Sequence, residues 1–302
     1  MLRSILSLFA LVVVATSAFA QDSYSRTDDV IYGRKHGMAM TLDVFTPTDK
    51  ANGAGVIFCV SGGWYSAKEI TPVALIVPLV KRGYTVFAVC HGSQPKYTIP
   101  EVLDDMHRAV RFIRYNAKKY NIDPDRLGIS GGSAGGHLSL MQGVAPKAGE
   151  IVGDPINRES SKVQAVACFY PPTDFLNYGK EGEIALGNGT LVAFRPPFEF
   201  WERAPKTSAL IILSDEAKRN EIGKKISPVY HASKTSAPAL IVHGDADELV
   251  PIQQSELMVE AYKKVGVPAE LIVKKGAVHG WAKQEADMVA FADWFDKYLA
   301  KK

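Results

Sequence analysis

RLGISGGSAGGHLSLMQG, residues 126–143, places a short apolar run, four glycines around Ser133 and a helical pattern in direct succession. A glycine inside a regular element costs roughly 0.5–1 kcal/mol relative to alanine. Four of them around one serine therefore need a reason. A sharp turn from strand to helix supplies one: the backbone must bend tightly, and strand and helix must pack closely where side chains would collide.

The same alternation continues outward in both directions. Strand-like runs precede it at DVIYGRKHG (29–37), MAMTLDVFTP (38–47), GVIFCV (55–60) and YTVFAVC (84–90), and follow it at VQAVACFYP (163–171), PALIVHGD (238–245) and AELIVKKG (269–276). Amphipathic stretches lie between and after them. Val102, Met106, Ala109, Val110 and Ile113 repeat at a helical period, a further helix is expected around 252–265, and Met288, Phe291, Phe295 and Tyr298 share a face within 284–299. Fully apolar strands separated by such helices predict an α/β fold, with a mainly parallel central sheet flanked by helices. Ligands of such sheets sit outside the carboxyl ends of the strands.

Two segments break the rhythm. The first is MLRSILSLFALVVVATSAFA, with Arg3, an apolar core and a small-residue end at Ala18–Ala20. It has the layout of a signal peptide, residues 1–20. Residues 21–302 then form the mature domain, secreted or periplasmic, with no stable membrane insertion after cleavage; an uncleaved anchor is the alternative. The second segment, 175–225, is rich in glycine, proline and aromatics, and reads as a lid-like insertion before the penultimate strand. It either covers the strand ends or forms an irregular excursion with its own small core. Phe198, Phe200 and Trp201 wall a pocket in the first case and fill that core in the second. A formal net charge of +3 on 302 residues, without a basic cluster, argues against nucleic acid as a partner. Cys59, Cys90 and Cys168 are odd in number and are expected as buried reduced thiols rather than metal ligands.

Gly131-x-Ser133-x-Gly135 between a strand and a helix is the nucleophile-elbow pattern, in which the serine hydroxyl stands exposed on a strained turn. A serine hydroxyl needs a base, and the base needs an orienting group. His279, in a glycine-flanked loop after the last strand, is the candidate base. His243 ends a strand and His137 follows the elbow, and both read as structural; His91, at a strand end, can line a pocket. The loop HGDADELVP offers Asp247 as the acid, while Asp245 lies closer to the strand and better suits organising the turn. Ala134 supplies one N–H to a developing oxyanion, and the glycines of Val60-Ser61-Gly62-Gly63-Trp64 supply another. Trp64 and Trp281 follow the oxyanion loop and the base, and are the candidate substrate contacts together with His91.

Through LDVFTP (42–47), SGGW (61–64), DPDRLGISGGSAGGHLSL (123–140), HGDADELVP (243–251) and VHGW (278–281), the chain resembles the α/β-hydrolase superfamily over nearly its whole mature length. The likeness is to its esterase/lipase branch, the hormone-sensitive-lipase-like and bacterial feruloyl/acetyl esterase-like enzymes. The resemblance implies a Ser133–Asp247–His279 triad, an oxyanion hole from Gly62, Gly63 and Ala134, an acyl-enzyme route and no metal or organic cofactor. It implies a small-molecule or polysaccharide-linked ester as substrate, acetyl or feruloyl sugar esters being one class. The chain departs from the family at Val60 and Ser61, where the usual loop reads His-Gly-Gly-Gly-Trp. Two other readings share the fold. A serine peptidase of prolyl-oligopeptidase type is one, against which stands the lack of a propeller-sized region before the domain. A non-catalytic binding protein is the other, supported only by Val60 and Ser61.

Overall fold

The computed structural model describes residues 23–150, 153–204, 206–207 and 209–301; the signal-peptide expectation for 1–20 lies outside them. Ten strands and six α-helices are formed among these residues. In chain order they are β1 (Tyr24–Lys35), β2 (Met38–Pro47), β3 (Gly55–Val60), α1 (Val73–Lys81), β4 (Thr85–Cys90), α2 (Ile99–Tyr115), β5 (Leu127–Gly132), α3 (Ala134–Val144) and β6 (Ala165–Phe169). They continue as β7 (Trp201–Arg203), β8 (Leu210–Ile212), α4 (Glu216–Lys225), β9 (Ala239–Gly244), α5 (Gln253–Val265), β10 (Ala269–Lys274) and α6 (Met288–Tyr298).

Eight strands make one sheet in the order β1-β2-β4-β3-β5-β6-β9-β10. The β1–β2 and β2–β4 pairs are antiparallel, and every pair from β4 to β10 is parallel. Alternation along the strands divides the core. Val56, Phe58 and Val60 of β3 face α1 and α6, where Ile76, Leu79, Phe291 and Phe295 are buried. Ile57 and Cys59 face the opposite layer, with Val102 and Met106 of α2, Leu138 of α3, and Met258 and Tyr262 of α5. Thr98 opens α2, with its N–H donating to the Glu101 carboxylate at 2.9 Å, a reciprocal cap that starts the helix where the sequence changes period.

The segment between β6 and β9 packs on this second layer. Phe175, Tyr178, Leu191, Phe198 and Phe200 are buried in the same cluster as the α2 and α3 side chains. Phe198 lies edge-on to Trp64 with ring centroids 5.2 Å apart. Phe198 and Phe200 thus fill core, whereas Trp201 on β7 is 54% exposed. The three cysteines are free thiols. Burial pushes Cys59 up to about 12 and Cys90 up to about 11, so neither is a thiolate near neutral pH. Among the described residues no helix is long and apolar enough to cross a membrane.

Candidate active site

Ser133 joins β5 to α3 with φ 54° and ψ −120°, a conformation that costs a non-glycine residue about 1–3 kcal/mol. The neighbouring glycines make the bend possible. A Cβ on Gly135 would stand 2.7 Å from the Cys59 carbonyl oxygen, and one on Gly131 would stand 2.6 Å from Gly135 itself. Strand, turn and helix therefore meet where only hydrogen fits. Helical pairing begins at once, the His137 N–H donating to the Ser133 carbonyl at 2.9 Å.

The turn carries the serine hydroxyl to His279 Nε2, 2.9 Å away. Nδ1 of the same ring lies 2.7 Å from Asp247 Oδ2. A carboxylate only accepts, so the proton sits on Nδ1, and Nε2 accepts from the serine. Asp247 follows β9 and His279 follows β10, so three strand ends deliver the relay to one edge of the sheet.

The Asp247 side chain is fully covered. Burial raises the pKa of its carboxyl, but donation from His243, His279 and the Val250 N–H outweighs this, and the net direction is well below the usual carboxylate range. Leu249 and Val250 donate their backbone N–H groups to Oδ1 at 3.0 and 2.9 Å. His243 Nε2 stands 3.3 Å from Oδ2 and also donates to the Val250 carbonyl at 2.8 Å. Asp245 points elsewhere: it accepts from the Gly276 N–H at 2.6 Å and pairs with Lys275 at 3.0 Å, tying two loops together.

The loop after β3 alters the expected set of oxyanion donors. Gly62 and Tyr65 exchange both backbone hydrogen bonds, at 3.0 and 2.9 Å, around a tight turn in which Gly63 and Trp64 have φ of 54° and 61°. Positive φ at both central residues is the type I′ hairpin turn. The Gly62 N–H is therefore occupied, a correction to its expected role. The N–H groups of Gly63 and of Ala134, the first residue of α3, have no acceptor among the described residues.

The three expected substrate contacts also lie elsewhere. Trp64 is 2% exposed, and its indole N–H donates to His137 Nδ1 at 3.2 Å, because the turn directs the ring inward beneath α3. His137 in turn donates from Nε2 to the Ile226 carbonyl at 2.7 Å. Trp281 donates to Asp287 at 2.7 Å and packs edge-on to Phe169 and Tyr170. His91 is buried behind Ser61, 2.8 Å from its hydroxyl.

A cavity of about 430 Å³ opens over Ser133 and His279, walled mainly by apolar side chains: Phe58, Ile70, Leu75, Phe194 and Leu249, with Tyr170 at one side. Larger hollows of about 810, 910 and 570 Å³ among the described residues contain neither Ser133 nor His279. Among the described residues of the 175–225 segment, Phe194 alone reaches the cavity. Its ring lies so close over Gly63 that a Cβ there would be 2.4 Å from it. Tyr170 follows β6 with φ 32°; its ring centroid is 4.5 Å from that of His279, and its hydroxyl bonds the Gln284 amide. Sequence reasoning missed both residues. Tyr170 was discoverable as the residue leaving the carboxyl end of an apolar strand; nothing local marks Phe194 out from the other insertion aromatics.

A covered parallel sheet whose strand ends carry such a relay from an elbow serine is the α/β-hydrolase fold. The chain belongs to the BD-FAE family, whose profile matches residues 42–262. Similar proteins include the probable carboxylic ester hydrolase LipM of Mycobacterium tuberculosis, 27% identical over 251 residues that cover 80% of this chain and 53% of the relative. The isoprenylcysteine alpha-carbonyl methylesterase ICME of Arabidopsis thaliana is 23% identical, over 88% of this chain and 58% of its own length. The chain thus spans little more than half the length of these curated relatives. A truncated carbohydrate esterase from gut microbiota superposes with a TM-score of 0.72 at 27% identity, covering 93% of this chain and 99% of that one. An acetyl ester-xyloside bifunctional hydrolase from Caldicellulosiruptor lactoaceticus shares the fold, with a TM-score of 0.71 at 22% identity over 89% and 95% of the two chains.

Proposed function

We propose that the protein is an exported serine-dependent carboxylic ester hydrolase acting through an acyl-enzyme. The observation that carries this reading is the relay of 2.9 Å from Ser133 to His279 and 2.7 Å from His279 to Asp247. Ser133 Oγ attacks the ester carbonyl carbon as His279 Nε2 takes its proton. Asp247 holds the resulting imidazolium, and the N–H groups of Gly63 and Ala134 receive the carbonyl oxygen as it becomes an oxyanion. His279 then passes the proton to the departing alkoxide oxygen, which leaves as the alcohol. Water, deprotonated by the same nitrogen, releases the acid and restores Ser133.

For the substrate we propose short-acyl esters of sugars. The cavity volume and its apolar walls favour a small acyl group, and the likeness to a carbohydrate esterase favours a sugar alcohol. Export rests on the layout of residues 1–20.

A panel of p-nitrophenyl acetate, butyrate and octanoate, acetylated xylan oligosaccharides and a prolyl-peptide anilide tests the reading. The expected result is turnover of acetate and of acetylated xylan, weak octanoate turnover, no anilide cleavage, and loss of all activity in Ser133→Ala. Preferential cleavage of the anilide would replace the esterase reading with a peptidase one.

A further inference from the structure

The loop after β3 runs Val60-Ser61-Gly62-Gly63-Trp64, and an imidazole stands against it. His91 leaves the end of the neighbouring strand β4 and is 4% exposed. Its Nδ1 lies 2.7 Å from the Gly92 carbonyl oxygen. A carbonyl only accepts, so Nδ1 carries the proton and Nε2 presents a lone pair. The Ser61 hydroxyl, 2.8 Å away, donates to it. Burial pushes the ring down to about 4, which keeps it in this neutral, accepting form.

The same short segment holds the turn at further points. The His91 N–H donates to Ser66 Oγ at 3.2 Å, and that hydroxyl donates to the Val60 carbonyl at 2.6 Å. Gln94 donates from its side-chain amide to the Gly63 carbonyl at 3.0 Å, and from its backbone N–H to the Trp64 carbonyl at 3.2 Å. Gly92 is tied down in turn by Asp105, at 2.9 Å from its N–H. These bonds hold the Val60, Gly63 and Trp64 carbonyls, flanking the peptide that carries the Gly63 N–H, whose own Gly62 carbonyl accepts from the Tyr65 N–H within the turn. Of them, only the Ser61 contact runs from side chain to side chain, and Ser61 borders the cavity.

We propose that His91 is a positioning residue for ester hydrolysis, holding through the Ser61 hydroxyl the turn that presents the Gly63 N–H beside Ser133. The inference rests on the esterase reading above and adds to it. The imidazole comes from the end of the adjacent strand, and Ser61 is the hydroxyl that engages it. Neither residue touches the reacting atoms.

Steady-state kinetics on p-nitrophenyl acetate, with thermal melting as the folding control, tests the pair. Complete loss of an oxyanion donor costs about 10²–10³ in kcat, so a misaligned one is expected to cost about 10- to 100-fold. Ser61→Ala and His91→Asn should each show that fall in kcat with KM little changed. The double variant should be no worse than either single one. His91→Gln, whose amide oxygen reaches the place of Nε2, should recover most of the activity, whereas Asn reaches only the place of Nδ1. Affinity for a trifluoromethyl ketone, which binds as an oxyanion, should fall in step with kcat. If the His91 variants fail to fold, Ser61→Ala decides alone, since it removes one hydroxyl. Wild-type kcat and ketone affinity in Ser61→Ala, multiplicative losses in the double variant, or equal losses for Asn and Gln would overturn the proposal while Ser133→Ala still confirmed the esterase. A wild-type protein without ester turnover would overturn both.

Discussion

Asp247 carries the electrostatic weight of the site. Its carboxylate accepts from His279 and two backbone N–H groups, with His243 Nε2 3.3 Å away, while fully covered; in the proposed mechanism it both holds His279 in the required tautomer and balances the charge that forms on it. Asp247→Asn keeps the shape but removes the negative charge and turns an acceptor into a donor. A fall in turnover of roughly 10⁴ is expected, as in protease triads. Asp245→Asn, which touches only the Gly276 and Lys275 loop, should retain turnover near wild type. Parallel kcat measurements decide the matter, and a larger loss at Asp245 would contradict the assignment. At this scale Ser133 was legible because glycine spacing reports steric need. Gly62 was misread because its N–H is taken by Tyr65 in a turn whose type depends on backbone angles that the letters SGGW do not carry.

The elements explain which of the other expectations had to fail. Trp64 sits in a turn with positive φ at two successive residues, and that geometry sends its ring under α3 to His137 rather than into the cavity. The 175–225 segment does not stand apart with a core of its own. Phe198 and Phe200 join the main core, Trp201 faces outward, and among the segment's described residues only Phe194 closes the cavity over Gly63. Removing that ring should lengthen the acyl chain the site accepts. Phe194→Ala is expected to raise butyrate and octanoate turnover relative to acetate severalfold, and Trp201→Ala to leave the ratios unchanged; the p-nitrophenyl series measures both. Unchanged ratios in Phe194→Ala would remove it from the acyl wall. The inner strands β3, β4, β5, β6 and β9 could be read from apolar runs because each is buried by layers the whole chain supplies, whereas the edge strands β1 and β10 are largely exposed. Which insertion aromatic reaches the site could not be read, since that depends on tertiary packing among several similar side chains rather than on any local period.

At the scale of the whole molecule, the sheet order places β5, β9 and β10 with their carboxyl ends on one edge, so residues separated by 146 positions, Ser133 and His279, meet within hydrogen-bond distance. The same packing buries three histidines in neutral form. His91, His107 and His137 are each pushed down to about 4, chiefly by burial. A folded value below the unfolded ~6.5 means that the unfolded chain binds more protons. The stability these residues contribute is complete above about pH 6.5 and is lost as the pH falls toward 4, with about three protons taken up on unfolding near pH 5. The melting temperature should therefore decline between pH 6.5 and 5, before most carboxylates titrate. His107→Gln, away from Ser133, should flatten the decline; a melting temperature constant to pH 5 would contradict this. The central claim, that the fold exists to activate one serine, is met most directly by covalent labelling. After brief exposure to a fluorophosphonate at neutral pH, peptide mapping by mass spectrometry should find one adduct, on Ser133, and none in His279→Ala. An unlabelled Ser133, or an adduct on another residue, in a preparation that hydrolyses esters would contradict it.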